Sequence, residues 1–267
     1  MCVITHLPVM EVSPPKARLY VKDALAKGQI VTLDKDQSHY LLKVMRQKIG
    51  AQVALFNGHE GEWWGEISDD NKKAAAITLQ QQTRVQQEEP DIWLCFAPVK
   101  FGKIDFLAQK ATELGVSKLM PVETKRTIVN RVKHDRLVAN AMEAAEQSER
   151  LTVPEVENLQ TFGKLIADWP QDRLLIVADE TGGGEPPLEM LPVLRDSRLA
   201  VLIGPEGGFA PEELKQLSML PGVRKMSLGP RILRADTAAL AALTCIQALC
   251  GDWRDGVPKF RGEDENE

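Results

Sequence analysis

The sequence predicts a two-part α/β protein, in which a small barrel of short strands precedes a mostly parallel sheet flanked by helices. Short runs of strand-forming residues, each bounded by Gly, Asp or Asn, occupy the first third of the chain. A polar stretch at 80–91 has no apolar periodicity and marks a boundary. Beyond it, apolar runs of strand length alternate with segments of helical spacing, which is typical of parallel sheets. We therefore predict one domain at 1–85, including an N-terminal leader, and a second at 86–267.

The first domain is predicted to contain several short strands and one helix. The helix is Ser38–Met45, whose apolar residues recur at helical spacing after the possible caps Asp36 and Ser38. Many short strands with one helix favour a small barrel. The predicted strands are Ala17–Val21, Gln29–Leu33, Gln52–Phe56, Glu62–Ile67 and Ala74–Gln80.

The second domain is predicted to alternate strands with helices. The predicted strands are Ile92–Ala97, Lys118–Val122, Leu174–Ala178, Leu199–Ile203 and Arg224–Leu228. Helices are expected over Ile104–Leu114, Leu137–Ser148 and Ala238–Leu249, and another begins at Pro211. The run Leu199–Ile203 is apolar throughout, as expected of a strand buried on both faces.

Two glycine turns follow two of these strands. Gly204, Gly207 and Gly208 allow backbone angles closed to other residues and can bring main-chain N–H groups close to a ligand. Gly229 begins a second turn before the last helix. Turns at the ends of two strands would form one ligand crevice of the kind that open α/β sheets use. A third glycine loop, 179–184, is predicted to be another wall of that crevice, with a flexible surface loop as the alternative.

Charge and cysteine content narrow the functional classes. The net charge is −5, yet residues 18–48 carry seven Lys/Arg against three Asp, and residues 97–136 carry nine Lys/Arg against four acids. Two basic segments in an acidic protein indicate a local anionic partner, unless they are simply two solvated faces. We expect no metal, since the four cysteines show no metal-binding spacing, and no membrane span, since no apolar run reaches eighteen residues. A cytoplasmic protein is expected, because Met1–Lys16 does not resemble a signal peptide.

The glycine turns are also recognisable together. Gly-Pro-Glu-Gly-Gly-Phe at 204–209 and Leu-Gly-Pro-Arg-Ile-Leu-Arg-Ala-Asp-Thr-Ala at 228–238 resemble the RsmE family, and the resemblance extends from about Arg18 to about Asp252. These are SPOUT-superfamily methyltransferases that use S-adenosylmethionine to methylate N3 of a uridine in 16S ribosomal RNA. The resemblance implies a PUA-like RNA-binding barrel, a trefoil-knotted methyltransferase domain and a homodimer.

Candidate site residues follow from the loops and the resemblance together. Arg234 is the candidate cation that stabilises negative charge on the uracil carbonyls, and Glu206 is a weaker candidate for the base. Phosphate contacts are expected from Arg18, Lys43, Arg46, Lys100 and Lys103, with salt bridges as the alternative for such side chains. The candidate cofactor residues are Thr181, Gly182, Ile203, Gly204, Pro205, Gly207, Gly208, Leu228, Gly229, Arg231, Ile232 and Leu233.

Two positions depart from the family pattern. Ala210 stands at the expected N-cap before Pro211, where members often have Ser or Thr, so Glu213 is half a capping box. Glu149 occupies a position where the family usually has a small residue. Two other functions stay open at this point: a non-catalytic protein that binds RNA or the ribosome, and a SPOUT methyltransferase that acts on transfer RNA.

Overall fold

The computed structural model describes residues 15–99, 103–129, 131–179 and 181–254, which contain two sheets. The first sheet has five strands in the order β1-β3-β4-β5-β2, with β1 parallel to β3 and the other pairs antiparallel. Its strands are β1 (Ala17–Tyr20), β2 (Ile30–Thr32), β3 (Gln52–Phe56), β4 (Glu62–Asp69) and β5 (Ala76–Arg84). All five predicted strands of this domain are present. β5 runs past its predicted end, so the polar stretch that we placed from residue 80 begins inside a strand.

The helix of the first domain begins earlier than predicted and changes its form. Helix α1 (Lys35–His39) is capped by Asp34, whose side chain accepts hydrogen bonds from the N–H groups of Asp36 and Gln37. Asp36 and Ser38 are therefore not the caps. A π-helical turn, Tyr40–Val44, continues α1.

The second sheet has seven strands, and every pair in it is parallel. The order is β12-β10-β11-β6-β7-β8, and β9 also pairs with β7. The strands are β6 (Ile92–Phe96), β7 (Lys118–Glu123), β8 (Glu155–Val156), β9 (Gln160–Thr161), β10 (Arg173–Ala178), β11 (Arg198–Ile203) and β12 (Val223–Met226). The parallel α/β prediction is confirmed, and the two-residue strands β8 and β9 were not predicted.

Helices cover both faces of this sheet. They are α2 (Lys103–Glu113), α3 (His134–Gln147), α4 (Phe162–Ala167), α5 (Pro187–Met190), α6 (Pro211–Met219) and α7 (Ala235–Leu249), with 3-10 turns at Pro192–Leu194 and Asp252–Arg254. One core cluster packs α2, α3 and α7 against one face, and a second packs α4 and α6 against the other. As predicted, all of Leu199–Ile203 is buried. In the described parts of the chain, no helix combines the length and apolarity needed to cross a bilayer.

Arg18 joins the two domains from a buried position. Its Nε lies 2.6 Å from Glu62, and its two terminal nitrogens donate to the carbonyl oxygens of Ala145 and Arg150 at 3.0 and 2.5 Å. Only 6% of the residue is exposed, because these partners surround it. The structure therefore contradicts the prediction that Arg18 contacts phosphate: its hydrogen bonds hold the first domain against the end of α3.

Glu149 lies at the same junction and has a positive φ of 61°. Residues with a Cβ rarely adopt this left-handed conformation, and glycine adopts it freely. Its carbonyl oxygen accepts a hydrogen bond from Arg84 at the end of β5. Among small residues, the backbone conformation therefore gives a physical reason for glycine at this position.

Glu146 is partly buried where β1 meets α3. One carboxylate oxygen accepts a hydrogen bond from the N–H of Tyr20 at 2.9 Å. Burial raises the pKa of Glu146 to about 7, although that N–H and the charge of Arg18 oppose the rise. Because the folded protein holds this proton more tightly than the unfolded chain does, stability from this group is complete below about pH 4.5 and is lost as the pH rises through 7.

Glu146→Gln should therefore stabilise the protein in alkaline solution. The amide resembles the protonated carboxyl and still accepts from Tyr20, so we expect a gain on the order of 1–3 kcal/mol well above pH 7 that vanishes in acid. Urea unfolding of both proteins over a pH series measures it. Glu189→Gln, an exposed change on α5 away from Glu146, is the control. Equal stability of Glu146→Gln and wild type at every pH would contradict the prediction.

Helix α6 begins without a side-chain cap. Ala210 has the extended backbone of an N-cap (φ −71°, ψ 154°), and Glu213 accepts a hydrogen bond from its N–H at 2.8 Å. Alanine has no acceptor for the reciprocal bond, so half of the capping box is missing, as predicted.

Ala210→Ser should complete this cap. The hydroxyl would accept from the N–H of Glu213, and we expect a gain of about 0.5–1 kcal/mol. Thermal unfolding measures it, with the exposed Ala139→Ser inside α3 as a control that should lower the midpoint slightly. A midpoint that does not rise for Ala210→Ser would place the cap elsewhere.

Candidate functional site

Three loops leave the carboxyl ends of three neighbouring parallel strands and enclose one cavity. They follow β10, β11 and β12, and β10 lies between the other two strands. The cavity has a volume of about 590 Å³. Its apolar lining includes Val177 of β10, Leu214 and Leu217 of α6, and Val223 of β12. The crevice predicted from the glycine turns is therefore present, and the third loop lines it as well.

The loop after β11 is a tight turn. The N–H of Gly208 donates to the carbonyl of Pro205 at 2.9 Å, and Gly208 has a φ of 68°. A Cβ on Gly204 would lie 2.9 Å from the ring of Phe209. Glycine at 208 provides the turn and glycine at 204 leaves room for Phe209, so the main chain itself forms this wall of the cavity.

The loop after β10 is organised by one carboxylate. Asp179 accepts hydrogen bonds from the N–H and hydroxyl of Thr181 and from the N–H of Gly183. Burial alone would raise the pKa of Asp179, but these hydrogen bonds and the charge of Lys225 keep it below the usual value. The described residues of this loop are therefore linked to one another through Asp179.

Most candidate residues lie on this cavity. Arg234 and Glu206 both line it and are exposed. Arg234 is also the N-cap residue of α7, which fixes its backbone at the start of a long helix. Gly207 is the only cofactor candidate that does not line the cavity. The cofactor candidates that do are Thr181, Gly182, Ile203, Gly204, Pro205, Gly208, Leu228, Gly229, Arg231, Ile232 and Leu233.

The candidate RNA contacts are spread over the molecule. Lys43 and Arg46 are exposed on and just after the π-helical turn. Lys103 instead bonds both carboxylate oxygens of Asp236 in α7, at 3.2 and 3.0 Å. Burial opposes ionisation of Asp236, but this partner holds the pKa of Asp236 below its usual value. Lys103 thus stabilises the start of α7 through this ion pair. The remaining candidate, Lys100, lies outside the described residues.

Sequence reasoning missed residues that reach the cavity from elsewhere in the chain. Arg126, after β7, lines it and donates to the carbonyl of Gly207 at 2.7 Å. Glu213 also links the segment after β7 to the segment after β11. One of its carboxylate oxygens accepts a hydrogen bond from the N–H of Ala210 and the other from the N–H of Lys125, each at 2.8 Å. One indication of these residues was available in the sequence, which is their position: the segment after β7 also leaves the carboxyl edge of the parallel sheet.

Comparison with known proteins agrees with this architecture. Residues 87–247 match the RNA methyltransferase domain family, and residues 33–80 match the RNA methyltransferase PUA domain family. Curated relatives named ribosomal RNA small subunit methyltransferase E include one from Rickettsia conorii, 32% identical over 87% of this chain and 95% of its own. Another, from Synechocystis, is 33% identical over 92% of this chain and 83% of its own.

The chain belongs to the ribosomal RNA small subunit methyltransferase E family.

Solved structures extend the comparison from sequence to fold. A methyltransferase E from Neisseria gonorrhoeae, solved with S-adenosylmethionine, is 29% identical and superimposes with a TM-score of 0.79 over 89% of this chain and 99% of its own. A Legionella pneumophila methyltransferase, solved with the same cofactor, is 29% identical and gives a TM-score of 0.80 over 88% of this chain and 98% of its own. The methyltransferase E fold, with a PUA domain at its N-terminal end, is therefore that of this chain.

Glu213→Ala should destabilise the protein at the base of the cavity. The side chain is almost fully buried and satisfies two backbone N–H groups, so its removal leaves both donors without their acceptor. We expect a loss of about 2–4 kcal/mol, measured by urea unfolding. Glu212→Ala, an exposed change one residue earlier, should have little effect. Similar losses in the two variants would contradict this role.

Proposed function

We propose that this protein is an S-adenosylmethionine-dependent methyltransferase that methylates N3 of a specific uridine in 16S ribosomal RNA of the small subunit. The observation that carries the proposal is the single cavity into which the two glycine turns, near 204 and 229, both open. Family membership supports the reaction class.

The residues around the cavity fit such a methyl donor. The apolar surface given by Leu214, Leu217 and Val223 suits an adenine ring. A Cβ added at Gly182 or Gly229 would meet no atom within 4 Å, so these backbones border open space that a ligand can enter. Main-chain N–H and C=O groups of the three loops supply hydrogen bonds for the base edge.

The reaction requires alignment and loss of a proton. S-adenosylmethionine, when bound, supplies an electrophilic methyl group on a sulfonium. The protein holds the uracil N3 in line with that methyl group, which is a positioning effect. The neutral imide is a poor nucleophile, so negative charge on its carbonyls must be stabilised as the N3 proton leaves. We assign that role to Arg234, with Glu206 as the candidate acceptor of the proton.

Finer features of the proposal come from family resemblance. They are a trefoil knot formed by the loops around the cavity, a homodimer, and the small ribosomal subunit as the context of the substrate. A cytoplasmic location follows from that substrate. Within the homodimer, the PUA domain of one subunit would present RNA to the cavity of the other.

Mapping of methylated uridines tests the substrate. RNA from cells with and without the gene is digested and analysed by mass spectrometry, and we expect one N3-methyluridine in 16S ribosomal RNA to depend on the gene. A gene-dependent methyluridine in transfer RNA instead would favour the transfer RNA enzyme. Binding of S-adenosylmethionine without methylation of any RNA would favour a non-catalytic binding protein.

Arg234→Ala should separate binding from catalysis. Loss of the cation should slow methyl transfer by about 100-fold in a single-turnover assay, because one stabilising donor of a developing anion is removed. Calorimetric affinity for S-adenosylmethionine should stay within a factor of about two. Lys215→Ala, an exposed change on α6, is the control. Unchanged single-turnover rates would remove Arg234 from the mechanism.

A further inference from the structure

Arg126 is a cation at the cavity to which the family motifs assign no role. It lies after β7, is exposed, and lines the cavity. One terminal nitrogen donates to the carbonyl oxygen of Gly207 at 2.7 Å. Its stem packs beside the same residue, since a Cβ on Gly207 would lie 3.5 Å from the Cβ of Arg126 and 3.6 Å from its Cδ. The side chain is therefore held at the rim by one glycine of the loop after β11.

The backbone beneath Arg126 is also held. The N–H of Lys125 donates to the buried carboxylate of Glu213, and the N–H of Thr124 donates to the hydroxyl of Thr127 at 2.9 Å. The Lys125 ammonium lies 3.2 Å from Glu212 at the start of α6. The two bonds of Lys125 connect the segment after β7 to the start of α6, and the bond from Thr124 to Thr127 closes a turn around Arg126. The bond to Gly207 then positions the guanidinium at the cavity.

Within the part of the chain that the structure describes, most of the N–H donors of Arg126 have no partner. A guanidinium has five N–H donors, and the bond to Gly207 uses one. Among the described residues, no carboxylate lies within ion-pair distance of Arg126. A guanidinium is planar and permanently charged, so at the rim of a cavity it can bind an oxyanion through two parallel hydrogen bonds.

We infer that Arg126 binds a phosphodiester of the RNA substrate beside the target nucleotide. The inference rests on the proposed function and assigns one contact within it. The segment from Lys125 to Lys133 favours RNA as the source of the oxyanion, because it carries four cations and no acid. Arg126, Arg131 and Lys133 are exposed along it. The methyl donor offers a single carboxylate, whereas an RNA strand offers one phosphate per nucleotide.

Arg126→Ala tests the contact through salt dependence. Each phosphate contact contributes about 0.9 to the slope of log affinity against log salt concentration on duplexes, and somewhat less on single strands. We expect the variant to bind an unmodified 16S ribosomal RNA transcript roughly tenfold more weakly in low salt, with a slope reduced by about one. Affinity for S-adenosylmethionine should stay within a factor of about two. Arg126→Lys, which keeps the charge, should retain most of the slope.

Controls separate this inference from other roles of Arg126. Arg136→Ala removes a cation that pairs with Asp105 and does not line the cavity, so its slope should match wild type. An unchanged slope with weaker binding of both S-adenosylmethionine and 5′-methylthioadenosine would make Arg126 a brace for the loop and overturn the inference. Weaker binding of S-adenosylmethionine alone, with the slope unchanged, would assign Arg126 to the carboxylate of the donor and overturn it equally. If wild-type protein neither binds the donor nor methylates RNA, the proposed function itself fails.

Discussion

Parallel pairing of β10 with β11 on one side and β12 on the other is the constraint on which the site depends. The register places Val177 opposite Leu202, and Ala178 opposite Met226, so the three strands end at nearly the same level. Their following loops must then share one edge of the sheet. The strands are buried between two helical layers, so packing in the core fixes the position of this sheet edge. The loops beyond the edge can carry polar groups.

Charge in this site is placed mainly through the backbone. Arg234 is at the N-cap of a fifteen-residue helix, Arg126 is held by the Gly207 carbonyl, and Asp179 is closed onto its own loop. Glu213 supports two segments from a buried position. Groups that are already hydrogen-bonded in place, such as Arg126, Asp179 and Glu213, need less reorganisation when a ligand enters.

The sequence predicted much of the fold and the site because the determining signals are local. Glycines at turns, apolar runs and a proline at a helix start act within a few residues, so every strand except the two-residue β8 and β9 could be located, as could helix α6 and the glycine turns. Arg18 could not be assigned correctly, since an exposed phosphate contact and a buried hydrogen-bonding hub have the same local sequence. Arg126 was missed because its partner, Gly207, is 81 positions away. The π-helical turn after α1 has no pattern of its own that distinguishes it from an α-helix.

The junction around Arg18 has a mechanical consequence. The guanidinium that bonds Glu62 in β4 also bonds main-chain oxygens of Ala145 and Arg150, so a single side chain spans both halves of the chain. A linker alone would let the N-terminal half swing, and each encounter with RNA would then begin with a search for the correct angle. With Arg18 in place, the orientation of the N-terminal half relative to the end of α3 is set when the chain folds, so each subunit of the proposed homodimer would offer its partner an RNA-binding surface at a fixed angle.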